Sequence, residues 1–395
     1  MSGYLKIWGI LITRFLLKVF YIFSIKNDRI IFISYDGKDI TCNPKYIYQG
    51  LIERYGNKYE YIWCLNKAAF YNSKYQVQKK VMPKTVMFFY YALTSKFYIN
   101  NGIAPSYIPF RKNQSVIGTW HGGGAYKKGG VDAVHSAVAH LNYKLASQNV
   151  SYVLSSSRAF SEILQRSFLV DKDKILECGM PRNDFLFDTD LKKKAQIKLS
   201  LNIGLDKKIL LYAPTFRSSF DSLEHSITKE VGELDTDKLI KCLRSQFGNE
   251  WIILYRSHYY VQNQPSDTTI LDVSSYSDMQ DLLYIADVLV TDYSSSIWDY
   301  AIKKPLCPCF IFAEDIYQYE RERGFETPIE KWPYAIAKTN EELQINILSF
   351  NYADYCQRVK QHLNDLGSFE QGIATDWVCN FIAENAQYKK VEYKI

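Results

Sequence analysis

The chain is short of the signatures that mark most catalytic and binding classes. Its eight cysteines are scattered and include no CxxC pair, which removes the usual zinc and redox motifs. Cys64 and Cys309 lie in apolar runs, where a cysteine acts as a small hydrophobe, so all eight are read as reduced thiols. Neither a GxxxxGK[ST] phosphate loop nor a GxSxG elbow occurs, so ATP and ester hydrolysis lose their usual support. Histidine is scarce, at six in 395 residues. The net charge is only +6, and no nucleic-acid-binding motif is present, so no nucleic-acid partner is expected. The small basic excess suits phosphates or lipid headgroups.

Long apolar runs are absent with one exception. Tyr4 to Ile25 holds 22 residues with three charges, Lys6, Arg14 and Lys18. On a helical wheel those three share an arc of about 120°, opposite Trp8, Leu11, Phe15, Val19 and Ile22. No small-residue cleavage site follows. The pattern fits a basic helix lying in the membrane interface. A spanning helix would put Arg14 near mid-bilayer, and a core or oligomer-contact helix is the plainer alternative. Residues 1–26 are therefore read as a membrane-associating helix, on the cytoplasmic face of the cell membrane.

Beyond it, short apolar runs alternate with helical stretches, which indicates parallel α/β sheets. Strands are expected at 30–35, 59–65, 96–100, 116–120, 152–154 and 175–177, with Asn43-Pro44 capping a helix through Arg54. A lysine-rich connector with some helix covers 188–202. The alternation resumes with strands at 208–212, 251–255, 270–273, 288–291 and 306–312, and the chain ends in helix. This gives Rossmann-like domains at 27–190 and 205–365, with a helical segment at 366–395. In such sheets, ligands bind at the carboxyl ends of strands.

Four polar clusters follow predicted strands. Trp120-His121-Gly122-Gly123-Gly124 places a histidine beside a run of glycines that permits close backbone approach, unless it is an ordinary turn. Gly179-Met180-Pro181-Arg182-Asn183-Asp184 offers donors to an anion or hydroxyl, or is a boundary turn. Tyr212-Ala213-Pro214-Thr215-Phe216-Arg217 brings an arginine that suits a phosphate or a surface ion pair. Arg256-Ser257-His258 adds a second histidine at a strand end. Thr291 to Asp299 (TDYSSSIWD) runs a strand through a serine turn into a helix whose amides suit an anion; one serine would suffice for capping. Asp188-Thr189-Asp190 has DxD form but lies in the connector, so neither metal nor cofactor is expected.

Together these motifs resemble the CDP-glycerol glycerophosphotransferase family, the teichoic-acid and capsule enzymes of bacteria. They run from about residue 120 to 301 in family order. The resemblance implies a GT-B fold, two domains facing across a cleft, with an acceptor domain at 27–190 and a donor-nucleotide domain at 205–365. It implies peripheral membrane association through residues 4–25. It also implies transfer of glycerol phosphate from CDP-glycerol, or ribitol phosphate from CDP-ribitol, to a hydroxyl of a lipid-linked or glycan acceptor. His121 matches the family's catalytic histidine and His258 its second; Asn183, Arg217, Ser294, Ser295 and Asp299 match donor-binding positions, and Arg256 stands beside them. The chain departs at Gly123-Gly124-Ala125, where the family usually has a Thr-Pro step, which bears on acceptor positioning. Its length resembles the shorter priming enzymes more than the long polymerases. A glycosyltransferase using a nucleotide sugar, or a non-catalytic nucleotide-binding scaffold, is the rival reading.

Overall fold

A computed structural model describes residues 3–123, 126–134, 136–215, 234–256 and 269–386. The chain forms two units. Unit 1 comprises Met1–Gly123, Gly129–Asp184 and Ser368–Ile395; unit 2 comprises Gly124–Lys128 and Phe185–Gly367.

Unit 1 is built on a parallel sheet of β1 (Lys26–Ile33), β2 (Glu60–Cys64), β3 (Lys79–Val81), β4 (Ser95–Asn100), β5 (Ser115–Gly118), β6 (Tyr152–Ser155) and β7 (Ile175–Glu177), in the order 3-2-1-4-5-6-7. Its helices are α1 (Gly3–Leu17), α2 (Cys42–Tyr55), α3 (Lys67–Phe70), α4 (Val86–Thr94), α5 (Ala137–Asn149) and α6 (Arg158–Arg166). The central strands are apolar on both faces. Ile30, Ile31 and Phe32 of β1 and Ile62, Trp63 and Cys64 of β2 are fully buried, as expected of a sheet covered on both sides. The chain reverses direction across the sheet between β1 and β4, which opens a crevice at their carboxyl ends.

Unit 2 repeats the plan with β8 (Lys208–Ala213), β9 (Trp251–Tyr255), β10 (Ile270–Asp272), β11 (Val288–Thr291), β12 (Cys309–Phe312) and β13 (Ala335–Ala337), ordered 10-9-8-11-12-13 and parallel throughout. Its helices are α7 (Leu191–Ser200), α8 (Thr236–Phe247), α9 (Met279–Ile285), α10 (Ser296–Ala301), α11 (Ile316–Glu322), α12 (Asn340–Leu348) and α13 (Tyr352–Asp365). Alternate residues of β8 feed two cores, Ile209, Leu211 and Ala213 on one face, Leu210 and Tyr212 on the other. The crevice of this sheet lies between β8 and β11.

The chain returns to unit 1 with α14 (Ala374–Ala386), which packs on α2. The C-terminal helix is thus part of the first unit and not a segment of its own. The polar stretch holds the expected helix as α7 (Leu191–Ser200), but it lies within unit 2, and the change of unit falls earlier, between Asp184 and Phe185. The short insertion at 124–128 joins unit 2 because Tyr126 is buried there, with its ring against Trp332. Its hydroxyl is hydrogen-bonded to Nε2 of His362 across 2.9 Å.

His362 is itself buried, which lowers its pKa from 6.5 to about 4. An unfolded histidine takes up a proton near pH 6.5, and the folded one only near 4. The stabilisation is therefore complete above pH 6.5 and lost as pH falls from 6.5 to 4, by about 3 kcal/mol at most. We expect the denaturation midpoint of unit 2 to fall over that window, and His362→Gln to flatten the fall. An equally steep fall in the variant would assign it to other groups.

The N-terminal helix is shorter than the sequence suggests. α1 ends at Leu17 and continues as a 3-10 turn over Lys18–Ile22. Among the described residues, no helix is long and apolar enough to cross a membrane. α1 packs on α5. Arg14 does not point outward with Lys6 and Lys18. Its guanidinium donates to Ser106 O (2.6 Å), Ile108 O (3.1 Å) and Asn149 Oδ1 (3.2 Å), and this burial lowers its pKa. Leu17, a turn later, is buried, whereas Trp8, Phe15 and Ile22 on the far side are 62%, 72% and 77% exposed. The wheel separated the faces correctly but did not foresee that the arginine side is the one held by the protein.

Candidate active site

In unit 1 the site grows from the end of β5. Gly118 is required there: a Cβ at that position would stand 2.4 Å from Ile103 O. Thr119 is fully buried and returns both its amide (2.8 Å) and its hydroxyl (3.0 Å) to Asn100 O, tying the strand end to β4. Trp120 then takes a φ of +52°, an unusual conformation for a bulky residue. Such strain persists only where the surroundings over-determine it. It delivers His121 to the crevice between β1 and β4.

His121 is exposed, with its ring packed on Trp120 (centroids 4.6 Å apart) and edge-on to Tyr35 (5.7 Å). Its Nδ1 lies 2.9 Å from Asn101 O. A carbonyl can only accept, so Nδ1 carries the proton and the ring's lone pair is on Nε2. That is the tautomer a general base needs.

The backbone of this turn is held from beneath. Arg182, 4% exposed, donates through Nη1 to His121 O (2.7 Å) and to Cys42 Sγ (3.2 Å). Asn43 is fully buried and donates to Thr119 O (3.0 Å) and Trp120 O (3.1 Å), while its Oδ1 accepts the Arg182 amide (3.1 Å). The Asn-Pro pair does not cap α2 as expected. The helix starts two residues earlier, at Cys42 after Thr41, which frees the Asn43 side chain for the turn. Asn183 is also buried, and its amide donates to Glu370 Oε1 (2.8 Å), whose other oxygen accepts the Met180 amide (3.1 Å). Asp184 caps α14 by accepting the amides of Ala374 (3.0 Å) and Thr375 (2.6 Å). Burial raises the Asp184 pKa in spite of these donors.

In unit 2 the corresponding residues stand at the β8–β11 crevice. Asp292 accepts the Thr215 amide at 3.0 and 2.8 Å and the Thr215 hydroxyl, which fixes the end of β8 against the end of β11. Thr291 donates to Ala213 O at 2.6 Å. Ser294 Oγ accepts from the Ser296 amide (3.3 Å) and hydroxyl (2.9 Å). Ser295 holds the cap position of α10, where its carbonyl accepts the Trp298 amide (3.1 Å) and its side chain makes no cap bond. Asp299 is buried and accepts from Gln280 Nε2 at 3.1 Å. Arg256, at the end of β9, donates to Tyr276 O at 2.7 Å. Arg217 and His258 lie outside the described residues. The DxD pair is used locally: Asp188 pairs with Lys193 at 2.6 Å, and Asp190 caps α7 through the Lys192 amide. Among the described residues, no cluster of His, Cys, Asp and Glu could hold a metal ion.

Residues 15–384 match the family model of the CDP-Glycerol:Poly(glycerophosphate) glycerophosphotransferases. The chain belongs to this family. It is 30% identical over 384 residues to the teichoic acid poly(glycerol phosphate) polymerase of Staphylococcus epidermidis, covering 91% of this chain and 51% of that one. It is also 30% identical over 371 residues to the teichoic acid glycerol-phosphate transferase of Staphylococcus aureus, covering 90% and 93%. The wall teichoic acid polymerase TagF is similar in structure, with a TM-score of 0.80 and 27% identity over 97% of each chain. The chain spans about half the length of the first polymerases it matches.

Asn43, Asn101 and Glu370 are the residues that sequence reading missed. Asn43 sits beside a proline and reads as a cap. Asn101 meets the His121 ring through a backbone carbonyl, while its Oδ1 accepts the Tyr35 amide at 2.9 Å. Glu370 lies 187 residues from Asn183. No local signal marks any of the three. Arg182 was noted, but as a donor to an external anion; the structure turns its fork onto the protein's own backbone.

Proposed function

We propose that this chain transfers glycerol phosphate from CDP-glycerol to a hydroxyl of a lipid-linked or glycan acceptor, in teichoic acid or capsule synthesis. Family membership and the names of its relatives support the reading. The observation that carries it is His121, whose proton is pinned on Nδ1 by Asn101 O while Nε2 keeps the lone pair.

In this reading Nε2 takes the proton of the acceptor hydroxyl. The oxygen bonds to the phosphorus that bears glycerol, the pyrophosphate P–O bond breaks, and CMP leaves with that electron pair. Phosphoryl transfer needs positioning and charge neutralisation more than covalent participation by the protein. The donor would lie along Thr215, Arg256 and Ser294–Ser296, with Arg217 and His258 completing the anion site as the family resemblance implies. Asn183 and Asp299 would act through their neighbours, since their side chains are buried. A GT-B type of fold would suit the 3-2-1-4-5-6 strand order that both sheets share.

The deciding experiment is a donor panel with CDP-glycerol, CDP-ribitol and nucleotide sugars, following the released nucleotide. CMP from CDP-glycerol alone is expected. CMP from CDP-ribitol alone would move the reading to ribitol transfer, UDP to a glycosyltransferase, and no nucleotide at all to a binding protein.

The outer face of α1 supports a peripheral place on the cytoplasmic face of the membrane. Trp8, Phe15 and Ile22 would enter the interface, each contributing about 1.5–3 kcal/mol on burial. Lys6 and Lys18 would meet anionic headgroups while Arg14 stays in the protein. Trp8→Glu, Phe15→Glu and Ile22→Glu together should leave the chain in the supernatant when anionic liposomes are pelleted, with turnover on a soluble acceptor unchanged. Equal sedimentation of both forms would remove α1 from the membrane.

A further inference from the structure

A second cavity in unit 2 lies at the opposite edge of the sheet from Thr215 and Asp292. It has a volume of about 500 Å³ and opens at the amino ends of β8, β9 and β11, where Lys208, Trp251 and Val288 begin their strands. A six-residue strand spans roughly 17 Å between the two edges, so one small ligand cannot occupy both.

The charge of this cavity is unbalanced. Lys194, Lys208, Lys303 and Lys304 line it, against Asp188 and Asp287. Asp188 is neutralised by Lys193. Asp287 is shared by Lys194 at 3.1 Å and Lys208 at 3.2 Å through one oxygen, and its other oxygen accepts the Ile209 amide at 3.0 Å. Neither Lys303 nor Lys304 pairs with a carboxylate among the described residues. Lys303 is only 3% exposed, and its ammonium is held by Ala286 O over the Tyr300 ring. A buried ammonium is costly without a counter-charge, and burial lowers its pKa to about 8.

Apart from Thr189 and Asn249, the remainder of the lining is largely apolar and aromatic, with Phe247, Trp251 and Tyr284 supplying the rings. Trp251 spends its indole N–H on Gly248 O at 2.7 Å, which leaves the ring for packing. Lysine donors beside aromatic walls fit an anion attached to a ring. Inorganic phosphate would use only the lysines, and a neutral aromatic only the walls.

We propose that this cavity binds a ring-bearing phosphomonoester. The claim stands apart from the reaction proposed above, because none of its residues belongs to that site. A chain that turned over no CDP-glycerol would still be expected to bind here.

The test uses the full chain labelled with 5-fluorotryptophan. The Trp251 fluorine signal is assigned among the seven tryptophans by its loss in Trp251→Phe. Phenyl phosphate should shift that signal saturably. Inorganic phosphate and benzyl alcohol, each with half of the required chemistry, should bind at least about tenfold more weakly. Lys208→Met with Lys304→Met, both at the surface, should weaken phenyl phosphate by about tenfold or more and leave benzyl alcohol unchanged. Saturating CDP-glycerol should not displace the probe. A Trp251 signal that phenyl phosphate does not move would overturn the proposal. So would equal affinity in the double variant, or displacement by CDP-glycerol.

Discussion

His121→Ala is expected to reduce turnover of CDP-glycerol by about 10²–10⁴-fold, the range typical of losing a positioned general base, with donor affinity nearly unchanged. The split follows from where the ring sits. His121 belongs to unit 1 and is oriented by Asn101 O and by the rings of Trp120 and Tyr35, whereas Thr215, Arg256 and Ser294–Ser296, along which the donor is proposed to lie, belong to unit 2. Removing the imidazole therefore takes away the proton acceptor without touching the groups that hold the pyrophosphate. The measurement is kcat from CMP release beside donor Kd by calorimetry. A variant that retained a tenth of the wild-type turnover would refute the base assignment. A parallel loss of donor affinity would place His121 among the donor contacts instead.

Arg182→Lys is expected to lower kcat by about 10–100-fold, the scale of a small displacement of a reacting group, again with donor affinity unchanged. The substitution keeps the charge and loses the planar fork. At this position one guanidinium nitrogen bonds both His121 O and Cys42 Sγ, while the Arg182 backbone amide is held by Asn43. A lysine ammonium offers a single point and would have to choose between acceptors. Arg182 does not touch the reacting atoms; it positions the turn that carries His121. Buried charge-assisted hydrogen bonds contribute about 1.5–3 kcal/mol each, so some loss of thermal stability is expected too. The discriminating readout is kcat per folded molecule at a temperature where the variant is fully folded. If that value equals the wild type's, Arg182 supports the fold alone.

Much of this architecture was legible in the chain. Alternating strand and helix signals placed eleven of the strands, because an apolar strand covered on both faces is a local pattern of a few residues. Among the described residues, His121, Arg182, Asn183, Thr215, Arg256 and Asp292 follow strands as expected. What misled at Asn43 and Arg14 was a side chain with a distant partner. The Asn43-Pro44 pair carries a helix-start signal, yet the Asn43 amide bonds carbonyls 76 and 77 residues on. Arg14 looked like one more basic residue on an amphipathic helix, yet it reaches Asn149 across 135 positions. The residues near 190–205 looked like a linker because they are polar, and they are polar because one face of α7 is exposed.

From sequence alone come the α/β class, the identity of the histidine beside the glycines, and the amphipathic sorting of the N-terminal segment. Each of these depends on neighbours within a turn or a strand. Only the tertiary structure decides that β1 and β4 enclose the His121 crevice, that Arg182 and Asn43 clamp its backbone, and that a lysine-lined cavity forms at the far edge of the second sheet. Those features need strand order and pairing between residues tens to hundreds of positions apart, and no local periodicity encodes which distant partner satisfies a buried donor or charge.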